Sequence, residues 1–420
     1  MLLLELAWQS LRDRKSSVLL TLLSLSLSVM VVLGVENIRA QTRQSFTRTV
    51  AGVDLIVGAR TSQLNLLLAS VFRIGNVSTA LSWQSYELIQ QDGRVAWAIP
   101  LALGDSHRGF RVVGTTAEYF RHFRYGDQQQ LSLREGDAGF AAVDSAVLGA
   151  DVARSLGYAL GDELVLNHGL GEISFSQHTD HPFHVTGILA PTGTPVDQGI
   201  YISLQGMAAS HRQWQHGVHI PGSAPQLSEH ELGHLEPDEV SAVLVGLKSR
   251  AAVFALQRDV NEYKGEALSA ILPGVALAEL WQSMRLVEGV LTVISGVVLI
   301  ASLLGLATML LASMHQRQRE LALYRAIGAR PSFLLLLIEF EALLLTIGGL
   351  VVGFGGTALL QAAVAPWLQR QYGLSLSSLP WTESTALYVG IVLAAAALLA
   401  LVPAFSAYRR SLGNALTARG

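Results

Sequence analysis

The residues of this 420-residue chain best equipped for chemistry are gathered in one stretch. Eight of its twelve histidines, His178, His181, His184, His211, His216, His219, His230 and His234, fall between positions 178 and 234. Neutral imidazole nitrogens are ligands for Zn, Cu and Ni. With no cysteine anywhere to supply thiolates, such a set suits an exchangeable site better than a closed structural one. The competing reading is an inert surface stretch. His184 opens an apolar run and can point into a core, and the later histidines lie in a polar segment where solvated imidazoles cost nothing. Within the set, His230-Glu231-Leu232-Gly233-His234 has the form H-E-x-x-H. On a helix both histidines would share a face, with Glu231 placed to activate a zinc-bound water. Ser228 and Glu231 also form a capping box, however, and Pro237 limits the helix to about two turns. A membrane zinc protease is therefore the least supported reading.

Two carboxylates stand in an unusual setting. Glu339 and Glu341 interrupt an otherwise uncharged run from Ser332 to Gly356. A carboxylate in hydrocarbon costs several kcal/mol unless it is paired or reached by water, which makes both functional candidates. The plainer role for Glu341 is pairing with an Arg or Lys near the interface. Further along the same run, Gly349 and Gly353 form a G-x-x-x-G, the spacing that lets helices approach closely in a membrane.

The elements that carry these residues follow from composition. Half the chain is apolar, 15% is charged and the mean hydropathy is +0.40, where a soluble chain carries about a quarter charged residues. The missing charges are absent from Ser16–Val35, Gly289–Met314, Ser384–Tyr408 and, Glu339 and Glu341 apart, Ser332–Gly356. Each run is long enough to cross about 30 Å of hydrocarbon as a helix. Four transmembrane helices are predicted, at 16–37, 284–314, 332–360 and 385–408. Arg12, Arg14 and Lys15 precede the first, Arg317, Arg319, Arg325 and Arg330 lie between the second and third, and Arg409, Arg410 and Arg419 follow the fourth. The positive-inside rule then places both termini in the cytoplasm and the long segment 38–283 outside, with 361–384 as a short outer loop and 409–420 as a tail. Residues 1–15 suit a short helix lying in the cytoplasmic interface.

The outer segment is predicted to be a large mixed α/β domain of two subdomains. Its strands are expected at Val53–Val57, Phe110–Val113, Glu163–Leu166, Phe183–Leu189 and Ala242–Leu247, and its helices at Ser145–Leu156 and Ser249–Tyr263. The polar, His-rich stretch 205–238 reads as an excursion from that core. A net charge of −3 excludes a strongly basic nucleic-acid binder.

Between the second and third spans, residues 315–331 form a short helical pattern closed by Gly328 and broken by Pro331. The run "RQRELALYRAIGARPSFLLLLIEFEALLL" resembles the coupling-helix region of the FtsX/MacB/LolC-type (mechanotransmission, type VII) ABC transporter permeases. "LAWQSLRDRKSSVLLTLLSLSLSV" is similar to that family's N-terminal elbow and first span. "VLGADVARSLGYALGDELVL" and "FHVTGILAPTGTPVDQGIYISL" are similar to its MacB-like periplasmic core domain, and "LVPAFSAYRRSLGNAL" to its C-terminal end. The resemblance implies a multi-pass subunit of a bacterial inner membrane. It would pair with a second permease copy, the same chain or a partner chain, and rest on a cytoplasmic ATPase dimer. Arg317, Arg319, Glu320, Arg325, Ala326, Gly328 and Ala329 fall on the motif and would meet the ATPase. The chain contains no Gly-Lys dipeptide and hence no phosphate loop, so ATP and Mg belong to that partner and no enzymatic activity is expected here. Family substrates include lipoproteins, hydrophobic compounds and peptides. The histidines point instead to zinc or another transition metal, with a periplasmic metal-binding protein or lipoprotein as a further partner. A non-transporting signal transmitter to a periplasmic enzyme is the alternative from a different class.

Overall fold

The computed structural model describes residues 2–49, 51–75, 79–168, 182–212, 214–215, 218–219, 228–316, 323, 328–372, 381–382 and 384–417. The chain divides into two compact units, one made of Met1–Gln41, Arg285–Pro366 and Leu376–Gly420, the other of Thr42–Met284 with Trp367–Ser375.

The first unit is helical. Four helices are long and apolar enough to cross a membrane, over Lys15–Gln44, Pro273–Gln316, Ser332–Ala365 and Thr385–Phe405. They are referred to below as the first to fourth long helices. A 12-residue helix, Leu2–Asp13, precedes them and buries Ala7 and Leu11 while Trp8 stays exposed. The bundle's core is built from Leu25, Leu303, Leu306, Leu310, Leu345 and the alanine row Ala396, Ala400 and Ala404. Small residues four apart let the fourth long helix pack closely where apolar burial gives no driving force, while Leu20, Val351 and Leu398 remain on the outside, as lipid contact requires.

The second unit is a mixed α/β domain. Its principal strands are β1 (Leu55–Ala59), β2 (Val95–His107), β3 (Phe110–Thr115), β4 (Leu133–Gly136), β5 (Ser145–Leu148), β6 (Phe183–Leu189), β7 (Gly199–Ser203), β8 (Ala242–Leu247) and β9 (Leu268–Ile271). They lie in the order β9-β1-β8-β2-β3-β7-β5-β6-β4, and Asn167–His168 on β2 and Glu163–Leu164 on β6 complete an 11-stranded sheet. β3 with β7 and β5 with β6 run parallel, and the other pairs are antiparallel. The 13-residue β2 ties the sheet together. Val95 to Leu101 pair with β8, and Ala102 to His107 pair with β3. At the bend sits Gly104, with φ +157°, where the register to β3 shifts between Leu103 and Ser106.

Three local readings of the sequence differ from the structure. Ser145–Leu156 is not one helix. Its first four residues are the fully buried β5, held between β6 and β7, and only Ala150–Leu156 is helical. Gly149 makes the break possible, since a Cβ there would lie 2.3 Å from the Asp197 carbonyl oxygen. The helix then ends at Gly157 in the left-handed conformation. The stretch 205–238 begins inside the core, because helix Leu204–His211 buries Leu204, Met207 and Ala209 against the sheet. Ser249–Tyr263 resolves into a 3₁₀ turn, Arg250–Ala252, and a helix, Val253–Asn261, whose Leu256 and Val260 cover one face of β1 and β8.

Candidate functional site

In the helical unit the two membrane carboxylates have different surroundings. Glu341 is buried on the third long helix, and its Oε2 accepts from Arg14 Nη2 at 3.2 Å. Arg14, at the junction before the first long helix, also donates to the Ser10 hydroxyl and carbonyl at 2.7 and 3.3 Å. Glu339 Oε2 is buried with no hydrogen-bond partner among the described residues. A cavity of about 520 Å³ opens between the first and second long helices and is lined by Arg14, Ser17, Thr21, Ser24, Ser302 and Gln316. Its hydroxyls can hold polar groups at a depth where hydrocarbon cannot. At the other end of the first long helix, Glu36 pairs with Arg39 and accepts from Ser384 Oγ at 2.6 Å and Tyr388 Oη at 3.4 Å, joining the first long helix to the fourth.

Gly349 and Gly353 face the first long helix. A Cβ on Gly349 would lie 2.6 Å from Leu25 Cδ2, and one on Gly353 would lie 2.7 Å from Val29 Cβ and 3.0 Å from the Ser26 carbonyl oxygen. Gly356 stands 2.7 Å from Met30 Sδ by the same measure, so three glycines on one face seat the two helices almost backbone to backbone.

Among the described side chains of the α/β unit the histidines do not gather at one point. His178, His181 and His216 lie outside the described residues, as do the side chains of His219 and His230. His184 approaches Asp144 at 3.6 Å at the surface. Among the described residues, no three His, Cys, Asp or Glu side chains converge on a point. Helix Glu229–Gly233 has only five residues, and Glu231 is spent on the capping box, accepting from Ser228 N and Oγ at 2.8 Å each. His211 is different. It ends the buried helix Leu204–His211, and its Nε2 lies 3.2 and 3.1 Å from the two carboxylate oxygens of Asp105, which is wholly buried on β2.

Sequence reasoning missed Asp105 and the neighbouring His107. His107 Nδ1 donates to the Val165 carbonyl at 2.6 Å and Nε2 accepts from Tyr158 Oη at 2.9 Å, if the Nδ1–H tautomer is taken as this network requires. Burial, with nearby Arg108 acting in the same direction, holds the His107 pKa below the ordinary histidine value, outweighing the support of the Val165 carbonyl. An unfolded histidine binds its proton near pH 6.5, so below that pH the unfolded chain holds more protons than the folded one. The corresponding stability is present above about pH 6.5 and is lost as the pH falls toward the folded-state value. Asp197 and Asp151, both pushed upward by burial, act in the opposite sense in a lower window. Thermal melts of the full chain from pH 7.5 to 5.5 are therefore expected to show a declining midpoint that His107→Gln flattens. An unchanged slope in the variant would remove His107 from the account.

A second missed group is Arg73. It follows a π-helical turn, Leu68–Phe72, and itself takes a left-handed conformation, φ +58°. Its guanidinium is buried, donates to Tyr201 Oη at 2.5 Å and to the Pro195 carbonyl at 3.3 Å, and lies 4.8 Å from the Tyr201 ring centre. Only glycine at position 199 leaves room for it.

Comparison with known proteins places these features in a family. Residues 18–263 match the model of the MacB-like periplasmic core domain, and residues 292–412 match the FtsX-like permease C-terminal model. The chain belongs to the FtsX/MacB-type ABC transporter permeases. Two solved structures are similar. The periplasmic region of MacB from Actinobacillus actinomycetemcomitans is 11% identical with a TM-score of 0.34, over 57% of this chain and 95% of that one. The extracellular domain of the noncanonic ABC-type transporter YknZ from Gram-positive bacteria is 13% identical with a TM-score of 0.30, over 52% of this chain and 98% of that one. No curated protein matches. Permeases of this family are the membrane component of ABC systems, are not themselves enzymes, normally work with a cytoplasmic ABC ATPase and often form dimers. Of the segment that resembles the coupling helix, Arg317, Arg319, Glu320, Arg325 and Ala326 lie outside the described residues. Gly328 is described, with φ +96°, as a helix-terminating glycine requires, and Ala329 and Arg330 lead from it into the third long helix.

Proposed function

We propose that this permease transmits the work of a separate cytoplasmic ATPase to its periplasmic α/β domain, and that the substrate class it serves is a divalent transition-metal ion, zinc the simplest. The first half rests on one observation: the periplasmic-domain and permease matches occur in order along a single chain that also carries four helices apolar enough to cross a membrane. The arginine-rich segment around 317–330 supports cytoplasmic termini and contact with the ATPase. The second half rests on the concentration of histidine in a chain without cysteine.

The test is ATP hydrolysis by the cognate ATPase assembled with this chain in nanodiscs. Arg319→Ala with Glu320→Ala is expected to lower the permease-dependent rate about tenfold, the equivalent of about 1.4 kcal/mol, with the melting midpoint unchanged. An unaltered rate overturns the assignment of the coupling segment. Stimulation by Zn²⁺ supports the metal reading. Stimulation by a lipidated peptide or a hydrophobic compound instead moves the assignment to extraction or export, and an assembled complex that responds to none of them moves it to signal transmission.

A further inference from the structure

We infer that the cavity between the first and second long helices binds the phosphate and glycerol-ester part of an anionic membrane phospholipid, at the basic end of the bundle. This site is independent of the metal reading above. The cavity holds about 520 Å³, inside the range of about 300 to 1,000 Å³ usual for small-molecule sites. None of the side chains that line it is acidic, while Arg14 brings a guanidinium and Ser17, Thr21, Ser24, Ser302 and Thr308 bring hydroxyls. Arg14 Nη2 serves Ser10 and Glu341, but Nη1 is buried with no hydrogen-bond partner among the described residues, and so is Ser302 Oγ. Buried donors are ordinarily satisfied, so two of them on residues of one cavity point to a ligand that supplies oxygen acceptors.

Charge and depth define the ligand. A guanidinium presents paired donors that match phosphate oxygens, and it does so better than an ammonium. Arg12 and Lys15, both exposed beside Arg14, add positive charge at this end against the single Asp13. From Arg14 to Ser24 is about 15 Å of helix, so the cavity begins at the level of the polar interface and continues into the hydrocarbon. At that depth a hydroxyl has no bulk water to serve. Thr21 and Thr308 donate to the backbone carbonyls of Ser17 and Gly305 at 3.0 and 2.9 Å, whereas the Ser302 hydroxyl is left to donate to an ester carbonyl. The mouth of the cavity is apolar. Leu20 on its wall is exposed, as are Leu23, Leu27 and Leu304 along the same two helices, a surface that suits acyl chains. A free phosphate ion would satisfy the arginine and leave both the deep hydroxyl and this apolar mouth unmatched, so the phosphate is assigned to a lipid.

The experiment uses the full chain, delipidated in detergent and titrated with phosphatidylglycerol while native mass spectrometry counts the bound lipid. One phosphatidylglycerol per chain is expected to bind well before any other, and inorganic phosphate is expected not to displace it. Arg14→Gln is expected to weaken that binding about tenfold. Because Arg14 also holds Glu341, a second variant leaves the ion pair intact. Nothing stands within 4 Å of a Cβ at Gly305, so Gly305→Leu places its side chain in the cavity without striking the protein, and it is expected to weaken binding about tenfold as well. Gly289→Leu, equally open on the same helix but outside the cavity, is expected to leave binding unchanged. Phosphatidylglycerol with a photoreactive headgroup is expected to label residues 17–24 and 302–313. Binding that survives Gly305→Leu, or labelling confined to other segments, overturns the site. Displacement of the lipid by inorganic phosphate overturns the choice of a lipid. The chain has no cysteine of its own, so Ser24→Cys and Thr308→Cys report whether a second copy covers the cavity. Disulfides between chains at both positions, with no lipid retained, would give the cavity to the second copy and overturn the proposal.

Discussion

Replacing Glu341 by leucine is expected to lower the stability of the helical unit by about 3 kcal/mol, and replacing Arg14 by leucine in the same chain should restore most of the loss. The asymmetry follows from what each change leaves behind. Arg14 and Glu341 meet at 3.2 Å with side chains only 13% and 4% exposed, so both have surrendered most of their hydration. Removing the carboxylate alone strands a guanidinium that is still buried, and breaking such pairs costs about 3 to 5 kcal/mol, whereas exchanging both members for apolar residues is often neutral. The lower end applies here because Arg14 keeps the hydroxyl and carbonyl of Ser10 as acceptors. Glu339, two positions earlier, serves as the internal control. Its Oε2 has no partner among the described residues, so Glu339→Leu removes a desolvated carboxylate without stranding another charge. That variant is expected to lie within about 1 kcal/mol of wild type or above it. Equilibrium unfolding in mixed micelles measures all four chains. A double variant no more stable than Glu341→Leu would show that the pair is not what holds Glu341 in place.

The pairing of Glu341 illustrates what the sequence makes legible. Four spans could be read because a helix that crosses hydrocarbon must be long and almost uncharged, a local property. The partner of Glu341 lies 327 positions away and is set by how two helices pack, which no local pattern encodes. The α/β domain repeats the lesson. Ala242–Leu247 is a buried interior strand with a continuous apolar run, and Phe183–Leu189 alternates buried Phe183 and Val185 with partly exposed His184 and Thr186, so both are readable as strands. β2, the strand that joins the sheet, carries Pro100, Gly104 and Asp105, each unfavourable in a regular strand, because it bends there and changes partners. Ser145–Leu148 reads as helix because it runs straight into one, and only its burial between β6 and β7 makes it a strand. Histidine density draws attention to 178–234 as a block, whereas the contact between His211 and a carboxylate 106 residues earlier is visible only in the fold. The density is a property of composition, and that contact is a property of topology.

The glycine face of the third long helix yields the other large effect. Gly353→Ala is expected to destabilise the helical unit by about 3 kcal/mol, Gly349→Ala by about 1 kcal/mol, and Gly355→Ala hardly at all. The order rests on what each added methyl would strike. At Gly353 it meets Val29 Cβ at 2.7 Å and the Ser26 carbonyl oxygen at 3.0 Å, atoms fixed to a helix backbone that can yield only if the whole helix moves. At Gly349 the nearest atom is Leu25 Cδ2 at 2.6 Å, the end of a side chain that can swing aside, although Leu25 Cβ at 3.1 Å limits the relief. At Gly355 nothing stands within 4 Å, so the methyl enters open space and helix propensity alone acts, in alanine's favour. Val29→Ala removes the Cγ1 contact at Gly353 but leaves the Cβ and the Ser26 carbonyl, so the Gly353→Ala/Val29→Ala chain should regain part of the loss and not all of it. Full recovery would place the constraint in the Val29 side chain, and equal losses at positions 353 and 355 would mean that the first and third long helices do not approach through glycine. The intermediate result is the one that backbone-to-backbone packing demands, because a carbonyl oxygen cannot be trimmed by mutation.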